Sequence, residues 1–76
     1  MSRPIFVIAR EIRLDWKKVN YGAKPYLSAM YNLNSITDNY YDDSCKSVVL
    51  YFLSNASTWR GEVAKRIKSE LKGMCK

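Results

Sequence analysis

The stretch from Ser44 to Ala56, SCKSVVLYFLSNA, restricts the fold more than any other part of the chain. Placed on a helix, Cys45, Val48, Val49, Phe52 and Ala56 fall on one arc, which Leu53 and Leu50 extend. Ser47 and Ser54, with Tyr51 beside them, mark the one side suited to water. A helix apolar around most of its circumference has to be surrounded by other elements. The competing description is a buried strand, because VVLYFL is rich in β-branched and aromatic residues. Length, polar flanks and the lack of a second strand-like run favour the helix, since a lone strand leaves its backbone groups unpaired. The stretch is therefore expected to be the central helix of a small bundle.

The flanking segments predict its neighbours. Ser2–Val19 reads as a first helix, with Pro4 at the first helical position, Ser2 or Arg3 as cap, and Ile5, Ile8, Ala9, Ile12, Trp16 and Val19 forming one stripe. Asn20–Lys24, NYGAK, is a turn, and Pro25 opens a short second helix, PYLSAMYNL. Asn34–Asp43 is irregular, although Ser35 and Asp38 have capping-box spacing and can start a single helical turn. Asp42 or Asp43 is expected to cap the central helix. After Asn55–Thr58, Ser57 or Thr58 would cap a last helix, Trp59–Lys72, closed by Gly73. Its apolar arc is Trp59, Val63, Ala64, Ile67 and Leu71, and Gly61 falls among lysines on the other face. A glycine inside a helix costs about 1 kcal/mol relative to alanine, so close packing is the expected reason for it. The predicted fold is all-α: one domain, residues 1–76, built as a bundle of three longer helices and one short one.

Chemistry is restricted by what is missing. The chain has no histidine, and its two cysteines, Cys45 and Cys75, lack ligand spacing, so neither a general base of the usual kind nor a zinc site is expected. Two free thiols in a reducing compartment are expected, because small disulfide-dependent domains carry more bridges. Asp38, Asp42 and Asp43 lack the ligand pattern of a calcium loop, and no phosphate-binding glycine motif occurs. Carboxylate pairs such as Glu11/Asp15 and Glu62/Glu70 fall on solvated faces. The chain is expected to be no enzyme and to need no cofactor or metal. No apolar run reaches the roughly 18–20 residues that span a bilayer, and a mature soluble protein without membrane contact is expected.

Charge is unevenly distributed within the net +6. Residues 1–24 and residues 59–76 are each basic, whereas residues 25–58 carry Lys46 against Asp38, Asp42 and Asp43. Arg3, Arg10 and Lys17 recur every seven residues on the first helix, flanked by Arg13; Lys65, Lys68 and Lys72 share a face of the last helix, with Arg60 before them. Such faces suit an acidic protein, a nucleoprotein complex or nucleic acid itself, and their plainer use is solubility. All six tyrosines lie in the middle of the chain, and the adjacent Tyr40 and Tyr41 cannot both point inward, so one is expected as an aromatic anchor. Residues 43–55 and 58–72 also have a helix-turn-helix outline, in which Ser57, Thr58 and Arg60 would meet phosphates and Lys65 and Lys68 the groove. That second helix has few side chains suited to reading base edges. Val7 and Leu14 lie off the core stripe and offer a small patch for self-association.

YFLSNASTWRGEVAKRIKSELK, together with AKPYLSAM, resembles a group of short uncharacterised proteins of bacteriophages and prophages. The shared residues, Trp59, Gly61 and Ile67 among them, form a packing signature that carries no chemistry. The resemblance implies a bacterial cytoplasm and a protein that binds and blocks host machinery, as anti-CRISPR proteins and other inhibitors of host defence do; an assembly role in a phage particle is the further alternative.

Overall fold

The residues Val48–Leu53 are helical, as their pattern predicts, and the rest of the chain folds against one side of them. The computed structural model describes residues 3–76. It contains four helices, α1 (Ile5–Asp15), α2 (Lys24–Met30), α3 (Cys45–Ser54) and α4 (Glu62–Met74), with two short strands, β1 (Asn39–Tyr40) and β2 (Asp43–Ser44), before α3. The chain is thus predominantly helical, with three longer helices and one short one, and is not strictly all-α. Helix α3 packs on α2 and α4, and α1 packs on α2 and α4.

The predicted stripes form the core. Ile5, Ile8, Ala9, Ile12, Trp16 and Val19 are buried from the first segment, and Cys45, Val48, Val49, Phe52 and Ala56 from the central one. The apolar arc of α3 is narrower than predicted, because Leu50 is 45% exposed; Tyr51, expected on the side suited to water, is 56% exposed. Trp16, Phe52 and Trp59 meet in an aromatic cluster: the two indoles stack at 5.7 Å and 12°, and each meets the Phe52 ring edge-on.

Three helix ends differ from the sequence reading, each for a backbone reason. Pro4 is the N-cap of α1 rather than its first residue, and the first amides of the helix are satisfied from elsewhere: Ile5 N donates to Asn34 O at 2.8 Å and Phe6 N to Leu33 O at 2.9 Å. Of the two expected caps, Arg3 precedes Pro4 and does not cap the helix, and Ser2 lies outside the described residues. Helix α1 stops at Asp15, yet Trp16 and Val19 still reach the core from the non-helical segment that follows. The cap of α3 is Ser44, whose Oγ accepts from Ser47 N at 3.1 Å, and not Asp42 or Asp43. Asp43 instead pairs with Tyr40 in the hairpin, and Asn39 with Ser44. Two-residue strands leave no alternation in the sequence; this pair is closed next to the ladder by Cys45 N donating to Asp38 O at 2.8 Å. Only half of the expected capping box forms, on a turn and not a helical turn: Asp38 Oδ2 accepts from Ser35 N, but Asp38 N donates to Ser35 O and Ser35 Oγ accepts from Thr37 N instead.

The largest departure is at the start of α4. Helix begins at Glu62 and not at Trp59, and Gly61 is its N-cap with φ 112° and ψ −179°, a region that essentially only glycine occupies. Ser57 and Thr58 therefore do not cap it, and residues 55–61 form a longer link than the roughly three- or four-residue turn of a helix-turn-helix. A first helical turn at Trp59 is replaced by tertiary bonds: its carbonyl accepts from Lys68 Nζ at 2.6 Å, and its Nε1 donates to Asp15 Oδ2 at 2.8 Å. Gly73 lies inside α4 rather than beyond it, with open space where a Cβ would sit.

The two glycines should respond to alanine with opposite signs. Gly61→Ala is expected to lower stability by about 1–3 kcal/mol through backbone strain alone, since nothing crowds the site. Gly73→Ala should raise it by up to about 1 kcal/mol. Urea denaturation of the two variants checks this, and a stabilised Gly61→Ala would mean that α4 starts earlier.

Candidate interaction surface

The basic residues of the terminal segments divide into those that hold the fold and those that face outward. Arg3 belongs to the first group. Its Nε and Nη2 donate to both carboxylate oxygens of Glu70, at 3.0 and 2.7 Å, and its Nη1 donates to Glu11 Oε1 at 2.7 Å. The other Glu11 oxygen accepts from Arg66 Nη2. Two guanidinium groups and two carboxylates thus clasp α1 and the segment before it to α4. The clasp raises the Arg3 pKa, mainly through Glu70.

Arg10 is exposed and its guanidinium lies 5.3 Å from the centre of the Phe6 ring. Lys17, the last member of the predicted row, and Arg13, which flanks it, line a depression of about 450 Å³ with Lys18, Lys24 and Tyr31. Lys18 and Lys24 were not singled out by helical spacing. The signal that finds them is the NYGAK turn, which folds its two flanks together at the junction of α1 and α2.

Along α4, Lys65, Lys68, Lys72 and Lys76 line a second depression of about 480 Å³, where Gly73 leaves room between them. Lys76 continues the predicted face by one further helical step. Lys68 is partly structural: besides holding the Trp59 carbonyl, its ammonium lies 5.8 Å from the centre of the Trp59 ring. Burial lowers its pKa, and repulsion from Lys72 and Arg60 adds to the shift. Arg60 is exposed in the link before α4.

Tyr40 and Tyr41 lie in a different environment. Tyr40 is half-buried against the core, while Tyr41 is 88% exposed with its ring edge-to-face on Tyr40 at 4.8 Å. Neither lines a lysine depression. Tyr40 instead lines a third depression with Tyr26 and Tyr51, whose rings stack at 5.4 Å and 23° across α2 and α3. The sequence reading placed Tyr40 or Tyr41 beside the basic faces; the fold groups Tyr40 with Asp43.

Of the self-association pair, Leu14 is 72% exposed and borders a shallow groove with Glu11, Asp15 and Val63, whereas Val7 is half-buried. Cys45 and Cys75 are free and buried, and burial pushes the Cys45 thiol up to about 11. No helix among the described residues is long and apolar enough to cross a membrane. Comparison with protein-family models, with curated proteins and with solved structures finds no match.

The clasp makes stability depend on pH. Hydrogen bonds from Arg3, then Arg66, hold the Glu11 carboxyl below its ordinary value of 4.5. As pH falls the unfolded chain takes up this proton first, so the stabilisation is complete above 4.5 and is lost as pH drops through the depressed folded value. Glu11→Gln should be less stable than the native chain at pH 7, with the gap closing toward acid. Urea midpoints measured along a pH series test this, and a gap that stays constant would rule the clasp out as its source.

Proposed function

We propose that this chain is a non-enzymatic interaction protein that engages an acidic protein or nucleoprotein partner through its lysine-lined faces. The observation that carries the reading is the composition of the two depressions. Arg13, Lys17, Lys18 and Lys24 line one and Lys65, Lys68, Lys72 and Lys76 the other, with no carboxylate in either lining. Like charges gathered in this way repel one another, and an anionic partner surface relieves that repulsion while speeding encounter.

Nucleic acid enters this reading as a phosphate backbone and not as a sequence read in a groove. Lysine contributes affinity without base discrimination, and the link over residues 55–61 lacks the tight turn of a helix-turn-helix. The resemblance to phage and prophage proteins supports, by context alone, inhibition of a host defence system in the manner of anti-CRISPR proteins, within a bacterial cytoplasm. A role in phage assembly through self-association is favoured by one observation, the exposure of Leu14.

The test compares the native chain with Arg13→Glu/Lys17→Glu and Lys65→Glu/Lys72→Glu variants, each tagged and passed through bacterial lysate with and without nuclease. Lys68 is left intact because it holds the Trp59 carbonyl. A partner retained after nuclease and lost from at least one variant is expected. Equal recovery by native and reversed chains would overturn the proposal. Capture only without nuclease would replace it with direct nucleic-acid binding, whose affinity falls steeply with salt, at about −0.9 in log–log slope per phosphate neutralised on duplex DNA.

A further inference from the structure

The tyrosine-lined depression takes no part in the lysine faces, and its lining has the opposite charge character. It encloses about 490 Å³ and is bordered by Pro25, Tyr26, Tyr40, Tyr51 and Asp43, with no lysine or arginine among its lining residues. We propose that it is a docking site for an extended, proline-containing basic peptide of a partner protein.

Shape supplies the first argument. Tyr26 and Tyr51 stack on each other at 5.4 Å and 23° across two helices, so the pair forms an aromatic wall that offers its outer faces and ring edges. Tyr51 remains 56% exposed in this arrangement, although it stands on the helix that supplies the centre of the core. Grooves walled by aromatic rings suit polyproline II segments, which stack pyrrolidine rings on them and arrive already extended, with little entropy left to lose.

Charge supplies the second argument. Asp43 lines the depression, and Asp42 is exposed beside it in the hairpin loop. An arginine of the peptide could place its guanidinium against a tyrosine face and its donors on Asp43. The lining itself offers an acidic peptide no cation.

The hairpin supplies the third. Tyr41 occupies the first position of its two-residue loop with φ 55°, where glycine would be relaxed. A large ring is thus held outward by backbone that disfavours it, edge-on to Tyr40, and it extends the aromatic surface past the depression. Strained positions of this kind cluster where a surface is used.

Fluorescence anisotropy with a labelled peptide of repeated Pro-Pro-Arg tests the proposal, with Pro-Pro-Glu and Gly-Gly-Arg peptides as comparisons. Saturable binding of the first alone is expected, weakened about tenfold or more by Tyr51→Ala, as for an aromatic anchor. Asp43→Asn should weaken it about threefold, the size of an exposed ion pair. Amide shifts of the native chain should change around Tyr26, Tyr40 and Tyr51, a readout that needs no variant to fold. Equal binding of the Gly-Gly-Arg or Pro-Pro-Glu peptide, unchanged affinity in Tyr51→Ala, or shifts centred elsewhere would overturn it. Lys65→Glu/Lys72→Glu should retain peptide binding, so this site and the lysine faces can fail separately.

Discussion

The indole of Trp59 lies flat against that of Trp16, meets Phe52 edge-on, and donates its ring N–H to Asp15. This one side chain joins the end of α1, the last turn of α3 and the approach to α4. Truncating a buried tryptophan costs about 3–5 kcal/mol. A chain of 76 residues has a total stability of only roughly 4–11 kcal/mol at the usual 0.05–0.15 kcal/mol per residue, so the cluster decides whether the fold persists. It also explains the local backbone. With the ring fixed and its carbonyl held by Lys68, the chain does not enter α4 until Gly61 has redirected it.

The same tertiary demands sort the charges. Arg3 and Arg66 are engaged with Glu11 and Glu70, and Lys68 with Trp59, so the basic surplus divides between groups that tie elements together and groups left facing water. Most of those facing water gather in two places, at the α1–α2 junction and along α4, while Arg10, Lys46 and Arg60 lie outside both. Concentration of one sign of charge is what gives a small surface long-range attraction for an anionic partner. The acidic middle of the chain contributes instead to a tyrosine-bordered depression that shares no residue with either lysine lining.

Two surfaces of opposite character on so small a chain suit a protein whose activity is contact. The first would draw an acidic or nucleoprotein surface electrostatically; the second would hold an extended basic segment by ring stacking. In both, the helices serve chiefly to fix the spacing of side chains. In the lysine faces this is helical periodicity along α4, and in the tyrosine depression it is the packing of α2 on α3.

Periodicity alone determined that the helical segments exist and which stripes are buried, though not where α1 ends or α4 begins. Ile5 to Val19, Cys45 to Ala56 and Ala64 to Leu71 are buried at the predicted positions, because an apolar face has no stable place except the core. Helical spacing likewise placed Lys65, Lys68 and Lys72 together. Only the tertiary structure decided where α4 starts, because Gly61 has the same neighbours in sequence whether it sits in a helix or turns the chain. It also decided that Arg3 clasps the start of the chain to α4, since its partner Glu70 lies at the far end of the sequence. The hairpin had no legible pattern at two residues per strand, and with it the grouping of Tyr26, Tyr40 and Tyr51 stayed hidden. Local spacing fixes which residues share a face of one element; which faces meet depends on contacts between residues distant in the chain.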